Sequence, residues 1–268
     1  MRSLQLNNRR QAFSRIDLIV CVLAVGALGG WFASHHLGEA GRIARCTHNL
    51  KVLGEAMHSF ANDHGDGLPP AGIEPTQVSW DMQLYSYLKP SLAKSKSDAS
   101  DEMVRAVAPY FFCPSDPIKR GERPRSYAVS SHDMATENWP PRPDNSTGVG
   151  LWWSKGRITQ EFGEEALEKV KKDADFLAMV KLSYLTDPAN TLLLTELNLR
   201  DNRMKSVLRI RVGSVEEQVA AFEGDLSQFH DGRFNYLMAD GHVELQMLSP
   251  FPTGAGGPSG IWTIRKGD

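Results

Sequence analysis

The residues near the C-terminus whose types could do chemistry are histidines and aspartates. His230 is followed by nine residues and then by Asp240-Gly241, and His242 comes next. Histidine and aspartate are common metal ligands, but a calcium ion takes about six to eight oxygen ligands, which this segment does not offer. A calcium site is therefore only an alternative interpretation of this segment. We expect no metal or cofactor, and a structural role for His230, Asp240 and Gly241, with the aspartate and glycine in a turn.

The cysteines are the second such group. Cys21 lies in an apolar run, so Cys46 and Cys113 are the pair that can meet in a folded domain. They form either a disulfide or two buried thiols. Catalysis would use Cys113 as a nucleophile with His132 or His230 as the base. Two phenylalanines precede Cys113 and indicate a buried thiol, so we expect no catalytic residue and no enzyme.

The aromatic side chains allow a non-catalytic alternative, a surface that stacks on sugars. Five tryptophans could contribute to it: Trp80, Trp139, Trp152, Trp153 and Trp262. A polysaccharide is therefore one candidate ligand. Nucleic acid is not, because the net charge of the 268-residue chain is −2 and its pI is about 6.5.

The N-terminus has the pattern of an export or anchoring signal. Residues 1–12 carry Arg2, Arg9 and Arg10 without an acid, and an uncharged apolar run follows from Leu18 to Ala33. An ordinary secretory signal, cut near residues 27–29 or 33, is the alternative interpretation.

The elements that must position these residues begin with a long helix. Ile43, Cys46, Leu50, Leu53, Met57 and Phe60 recur at helical spacing, so the helix continues from the apolar run to about residue 63. Short strands are expected at 110–114, 126–129, 191–195 and 207–212, a short helix at 77–88 and an inserted amphipathic helix near 157–182. These patterns predict an α+β fold, with the long helix packed on a small antiparallel sheet.

The clearest hairpin surrounds Asp240-Gly241. A two-residue turn there pairs Met238 with Val243. One face would then collect only apolar and aromatic side chains: Phe234, Tyr236, Met238, Val243, Leu245 and Met247.

Residues 12–18, Ala-Phe-Ser-Arg-Ile-Asp-Leu, resemble the cleavage and methylation signal of prepilins. The resemblance implies a cut between Ala12 and Phe13, and a role for Asp17, the fifth residue after the cut, in assembly. The family normally has glycine before the cut and glutamate in place of Asp17.

Further motifs occur in the order found in a family of pilin-like proteins of planctomycete-like bacteria, the DUF1559-type family with a His-x9-Asp-Gly C-terminal domain. The motifs are Cys46 to Lys51, Phe112 to Asp116, Arg125 to Tyr127, Asp187 to Thr191, and His230 to Gly241. The resemblance implies a type IV pilin-like fold and a pseudopilin-like role in a pilus or type II secretion-like apparatus.

The same resemblance implies an organisation and a set of partners. A leader of residues 1–12 would precede a transmembrane segment at 13–35 and an extracytoplasmic domain at 36–268. The partners would be a prepilin peptidase, other pilin-like subunits and the inner membrane, and the location would be the bacterial inner membrane with a single pass. A membrane-tethered module for an envelope polysaccharide is the alternative, and a hydrolase is a third reading.

Overall fold

The computed structural model describes residues 15–93, 99–121, 123–131, 148–208, 211–226, 229–247, 261–262 and 264, without the side chains of 15–37 and 215. The chain divides into two compact units, Met1–Gly41 and Arg42–Asp268. The predicted cleavage site at Ala12 and Phe13 and the side chain of Asp17 lie outside the described residues. In the described part of the chain, no helix combines the length and the apolar character needed to cross a membrane.

Six helices and eight strands are assigned within these residues. The helices are α1 (Arg15–Asp63), α2 (Trp80–Leu88), α3 (Asp101–Phe111), α4 (Lys155–Phe162), α5 (Ala166–Lys172) and α6 (Val215–Ala221). The strands are β1 (Gly72–Ile73), β2 (Val78–Ser79), β3 (Tyr127–Ser130), β4 (Trp152–Trp153), β5 (Leu192–Glu196), β6 (Arg211–Val212), β7 (Arg233–Met238) and β8 (Val243–Met247). The fold is α+β, as the sequence predicts.

The 49-residue helix α1 organises the second unit through its C-terminal part. Its buried side chains follow the predicted stripe: Cys46, Leu50, Leu53, Met57 and Phe60. Gly54 allows a close approach to the sheet, because a Cβ atom there would lie 3.1 Å from the side chain of Leu237 on β7. The helix ends where Gly65 and Asp66 take left-handed backbone angles, with φ of 60° and 74°.

The larger sheet has five strands in the order β6-β3-β5-β7-β8. The expectation of an antiparallel sheet is only partly right, because β6 runs parallel to β3. After β5 the chain enters the sheet again as β6 on the far edge of β3, and it runs there in the same direction as β3. Strand β5 is central, and all of its side chains are buried.

The predicted insertion packs against a second sheet, with the strand order β2-β1-β4. Two helices, α4 and α5, occur where the sequence predicted one over 157–182. Gly163 separates them, because it caps α4 with a φ of 82° that other residues rarely adopt. Their apolar faces build a small separate core with β1 and β4: Ile73, Trp153, Ile158, Ala166, Val170 and Leu177.

The predicted strand at 110–114 is wrong, since helix α3 runs to Phe111. The Ser100 side chain caps α3 by accepting a hydrogen bond from the backbone N–H of Met103. The helix then buries one face through Met103, Val104, Val107 and Phe111. Helical periodicity over the whole segment therefore outweighs the short aromatic run at its end.

The hairpin is present, but its predicted register is wrong by one residue, since Leu237 rather than Met238 pairs with Val243. A two-residue type I′ turn needs positive φ at both central residues, and of Asp240 and Gly241 only Gly241 has it, at 92°. The backbone N–H of Met238 instead bonds to the His242 carbonyl across a three-residue loop. The predicted single apolar face therefore does not form, and β7 buries both of its faces.

Candidate functional site

The two cysteines predicted to meet lie at the centre of the second unit. Cys46 of α1 and Cys113, just after α3, form a disulfide with Cα atoms 5.2 Å apart, within the range that a disulfide requires. Both residues are fully buried. The bond therefore connects the long helix covalently to the segment that leads from α3 into the sheet.

His230 lies directly beside this disulfide. Its Nε2 is 3.2 Å from the Cys113 sulfur and 3.0 Å from the carboxylate Oε1 of Glu196, at the end of β5. His230 and Glu196 are both fully buried. His230, Asp231 and Gly232 all have positive φ, and this tight turn directs the imidazole into the core. The imidazole thus reaches a buried carboxylate inside the core.

The carboxylate of Glu196 is held by one residue of the neighbouring strand. Asn235 donates its backbone N–H to Oε2 at 2.6 Å and its side-chain amide to Oε1 at 2.9 Å. The Thr47 hydroxyl of α1 donates to the Asn235 side-chain oxygen at 3.0 Å. A buried carboxylate needs such donors to offset its loss of solvation, so the helix, β5 and β7 meet in one polar network.

Asn49 fixes α1 to α3 next to the disulfide. Its side-chain amide donates to the backbone carbonyls of Pro109 and Phe112, at 3.0 and 2.9 Å. Both carbonyls lie at the C-terminal end of α3, where the last carbonyls have no intrahelical partner. The motif from Cys46 to Lys51 therefore supplies a disulfide, a contact with β7 and a helix cap from a single turn of α1.

A second buried polar group surrounds Arg125. Its guanidinium forms a buried ion pair with Asp81 of α2 and donates to the Asn202 side-chain oxygen at 2.7 Å. Tyr85 donates to the other oxygen of Asp81 at 2.7 Å. Burial lowers the pKa of Arg125, while the Asp81 carboxylate opposes that shift. The pair links α2 to β3, and the remaining guanidinium donors bond to the backbone carbonyls of Ser206 and Leu208.

The motif from Asp187 to Thr191 supports the hairpin turn. The backbone N–H of Ala239 donates to the Thr191 carbonyl at 2.8 Å, and that of Asp240 donates to the Pro188 carbonyl at 3.2 Å. The segment 187–191 and the hairpin turn, which are far apart in sequence, are therefore hydrogen-bonded to each other.

His242 and Asp240 form a separate, half-exposed group. The His242 Nδ1 lies 2.5 Å from Asp240 Oδ1, and its Nε2 lies 3.1 Å from Glu244 Oε1. Partial burial lowers the pKa of His242, but the two carboxylates outweigh it, so the net pKa is raised. His230 pairs with Glu196 in the core instead. His230 and the pair Asp240–His242, which are close in sequence, therefore belong to two separate groups of side chains.

Four residues bring metal-binding atoms together in the buried group. The Cys46 and Cys113 sulfurs, a Glu196 oxygen and a His230 nitrogen all lie within 4.8 Å of one another. In the disulfide state the sulfurs are bonded to each other, so Cys113 has no thiolate with which to act as a nucleophile. His132, the other base considered, lies outside the described residues.

The sequence analysis did not identify Glu196 or Asn235 as members of this group. A signal for Glu196 was present, because a glutamate directly after the apolar run 192–195 is either exposed or paired in the core. Its partner cannot be read from the chain, since Asn235 is 39 residues away.

The tryptophans are mostly unsuited to stacking on sugars. Trp80, Trp153 and Trp262 are buried, Trp152 is half-buried, and Trp139 lies outside the described residues. The rings proposed from sequence therefore contribute mainly to the core.

One protein-family model matches more than half of the chain. Residues 37–202, from the C-terminal part of α1 through β5, match the model of the family described as "Protein of unknown function (DUF1559)". The matched segment contains Cys46, Cys113 and Glu196, whereas His230 and the hairpin lie beyond it. No curated protein and no solved structure matches the chain. The chain therefore belongs to the DUF1559 family of proteins of unknown function.

Proposed function

We propose that this protein is a membrane-anchored, pilin-like subunit that acts by assembly in the cell envelope and has no enzymatic activity. The observation that carries the proposal is how residues 46–54 of α1 are held within the second unit. Cys46, Thr47, Asn49 and Gly54 connect one stretch of α1 to α3 and to the sheet through a disulfide, hydrogen bonds and a close backbone approach.

A helix held in this way suits a subunit that assembles through its N-terminal segment. The disulfide fixes the C-terminal part of α1 covalently to the rest of the second unit, so this part of the helix cannot separate from the sheet under load. Residues 18–33 of the same helix carry no charge, which suits packing in a bilayer or among other apolar helices. In such packing the Asp17 carboxylate would pair with a cation of a neighbouring subunit.

The disulfide supports an extracytoplasmic location for the second unit. Disulfides persist in oxidising compartments and are rare in the cytosol of most organisms. The bond also supports the non-enzymatic reading, because it occupies the cysteine that sequence reasoning considered as a nucleophile.

The first experiment determines the mature N-terminus by mass spectrometry of the protein recovered from membranes. We expect cleavage between Ala12 and Phe13 and retention in the inner membrane. A mature protein that begins near residue 28 or 34 and is soluble in the periplasm would contradict the proposal.

The second experiment tests assembly directly, by chemical cross-linking in membranes of cells that express Asp17→Ala or Asp17→Glu. We expect Asp17→Ala to be cleaved normally but to lose cross-links to other pilin-like subunits. Asp17→Glu is the matched control and should retain them, since it keeps the carboxylate. Equal cross-linking in both variants would show that Asp17 has no role in assembly.

A cleft beside the end of α1 favours a second candidate, a tethered polysaccharide-binding module. The cleft has a volume of about 400 Å³ and is lined by Phe60, His64, Tyr87 and Met82, among others. Phe60 and His64 stack with ring centroids 3.8 Å apart. The half-buried, amphipathic rings of His64 and Tyr87 suit a sugar face, whereas Phe60 is buried. Binding of the purified chain to envelope polysaccharide, lost in Tyr87→Ala and kept in an exposed Phe162→Ala control, would support this candidate over assembly.

A further inference from the structure

The surroundings of the disulfide contain two buried ionisable groups that a cross-link does not need. A disulfide needs no polar neighbour, yet a buried histidine lies against the Cys113 sulfur and a buried carboxylate lies beside that histidine. Burying both ionisable groups is costly unless they are paired, and a wholly apolar surround would avoid that cost. The choice of residue types therefore requires a reason beyond the disulfide.

The four side chains match the ligand set of a zinc site. Thiolate, imidazole and carboxylate are the three ligand types that Zn²⁺ takes in proteins, in tetrahedral sites with Zn–S distances of about 2.3 Å. Ligand atoms in such a site are about 3.3–3.8 Å apart by that geometry. The present atoms lie within 4.8 Å of one another, so opening the disulfide and separating the sulfurs brings the set into range.

The surroundings already orient two of the ligands. Asn235 donates two N–H groups to the Glu196 carboxylate, which stabilises its charge and fixes its plane. The turn at His230 fixes the imidazole so that Nε2 points at both Cys113 and Glu196. A site with two thiolates and one carboxylate around Zn²⁺ carries a net charge of −1, which the two Asn235 donors help to offset.

We propose that in its dithiol state the chain binds one zinc-type divalent cation through four side chains, those of Cys46, Cys113, Glu196 and His230. A dithiol reductant supplies two electrons and two protons to the disulfide and is oxidised to its own disulfide. The metal then binds the two sulfurs as thiolates, and their two protons leave to solvent. Disulfide and metal are alternative ways to join α1 to the rest of the second unit.

The burial of all four residues has a kinetic consequence. Because all four residues are fully buried, a cation reaches the sulfurs only when α1 opens from the sheet or while the chain folds. Metal uptake is therefore faster during refolding in the presence of the metal than after its addition to the folded dithiol chain.

The test uses the full chain in detergent with Cys21→Ala, so that only the two relevant thiols remain. The chain is reduced with a phosphine and refolded without oxygen at a series of Co²⁺ concentrations, so that the metal is present while the site forms. The thiolate charge-transfer band and the tetrahedral d–d bands of Co²⁺ report the site. We expect one equivalent per chain in the dithiol state and none in the disulfide state. Absence of the bands in the dithiol state would overturn the proposal.

Variants locate the site. His230→Gln should weaken Co²⁺ binding at least about tenfold, the loss typical even for residues that only orient a ligand. His242→Gln is the matched control, since His242 also contacts carboxylates but lies at the surface, and it should bind Co²⁺ unchanged. Equal affinity in His230→Gln, or a loss confined to His242→Gln, would refute the assignment.

A measurement on the unsubstituted cysteine pair covers the case in which His230→Gln does not fold. Zn²⁺ should slow alkylation of Cys46 and Cys113 in the dithiol chain at least tenfold, as followed by peptide mass spectrometry. Alkylation at the same rate with and without Zn²⁺ would refute the proposal.

Discussion

Loss of the disulfide between Cys46 and Cys113 should destabilise the second unit by about 4 kcal/mol. The perturbation is the replacement of both cysteines by alanine in a Cys21→Ala background, which removes competing thiols. Alanine is preferred over serine because both positions are fully buried, and a hydroxyl there would need a new hydrogen-bond partner.

The magnitude follows from the loop that the bond closes. The two cysteines are 67 residues apart, and in the chain-entropy model a loop of this length costs the unfolded chain entropy worth about 4.4 kcal/mol at 25 °C. The native Cα separation of 5.2 Å lies within the ordinary range for disulfides, so nothing in the backbone geometry reduces this value. Lost packing of the buried sulfurs acts in the same direction.

The assay is urea unfolding in detergent followed by pulse proteolysis, with a chelator present so that no metal replaces the bond. Cys46→Ala and Cys113→Ala alone provide the control, since each removes the same bond. The double variant should therefore be little worse than either single variant, with a coupling energy of about 4 kcal/mol. A loss below about 1 kcal/mol, or additive single losses, would refute the reasoning.

Three further predictions concern the other polar groups. Asp81→Asn should lower the free energy of unfolding by about 3–5 kcal/mol in urea titration, because it leaves the buried Arg125 guanidinium uncompensated; a loss within error would contradict this. Gly241→Ala should cost about 1–2 kcal/mol in the same assay, because its φ is 92°. Gly156→Ala, with equally open space and no positive φ, should not destabilise, because Gly156 lies in α4 and alanine is the better helix former; equal losses would contradict the role of φ. The raised pKa of His242 stabilises the hairpin fully below about pH 6.5, the unfolded value, and this contribution disappears as pH rises through the folded pKa. Hydrogen exchange of the hairpin amides should therefore be slower at pH 6 than at pH 8 after correction for intrinsic rates, and His242→Gln should abolish that difference; its persistence would contradict the assignment.

Much of the fold could be predicted because it depends on local patterns. The apolar stripe of α1 repeats every three or four residues, and that spacing alone indicates which face is buried. Strands β3 and β5 are short apolar runs bounded by polar residues, and β-propensity is sufficient to predict them. The hairpin is marked by Asp240-Gly241, although the turn type, and with it the register, depends on a single backbone angle that the sequence does not reveal.

The candidate site was only half predictable. Cysteine arithmetic identifies Cys46 and Cys113 as a pair, and the motif identifies His230, because these residue types are rare enough to be noticed in sequence. Their contact with Glu196 was not predictable, because a glutamate at the end of a strand is usually exposed. Only the donors of the neighbouring strand allow this one to be buried.

The sequence by itself therefore determined the helix, most strands and the identity of the cysteine pair, all of which follow from near neighbours in the chain. Only the tertiary structure decided that Cys113, His230 and Glu196 share one buried place. Their contacts span 117 and 34 residues, and such contacts depend on strand order and on the packing of α1 across the sheet. Burial then decides the chemistry, because a thiol, an imidazole and a carboxylate are independent in water but must satisfy one another in a core that excludes it.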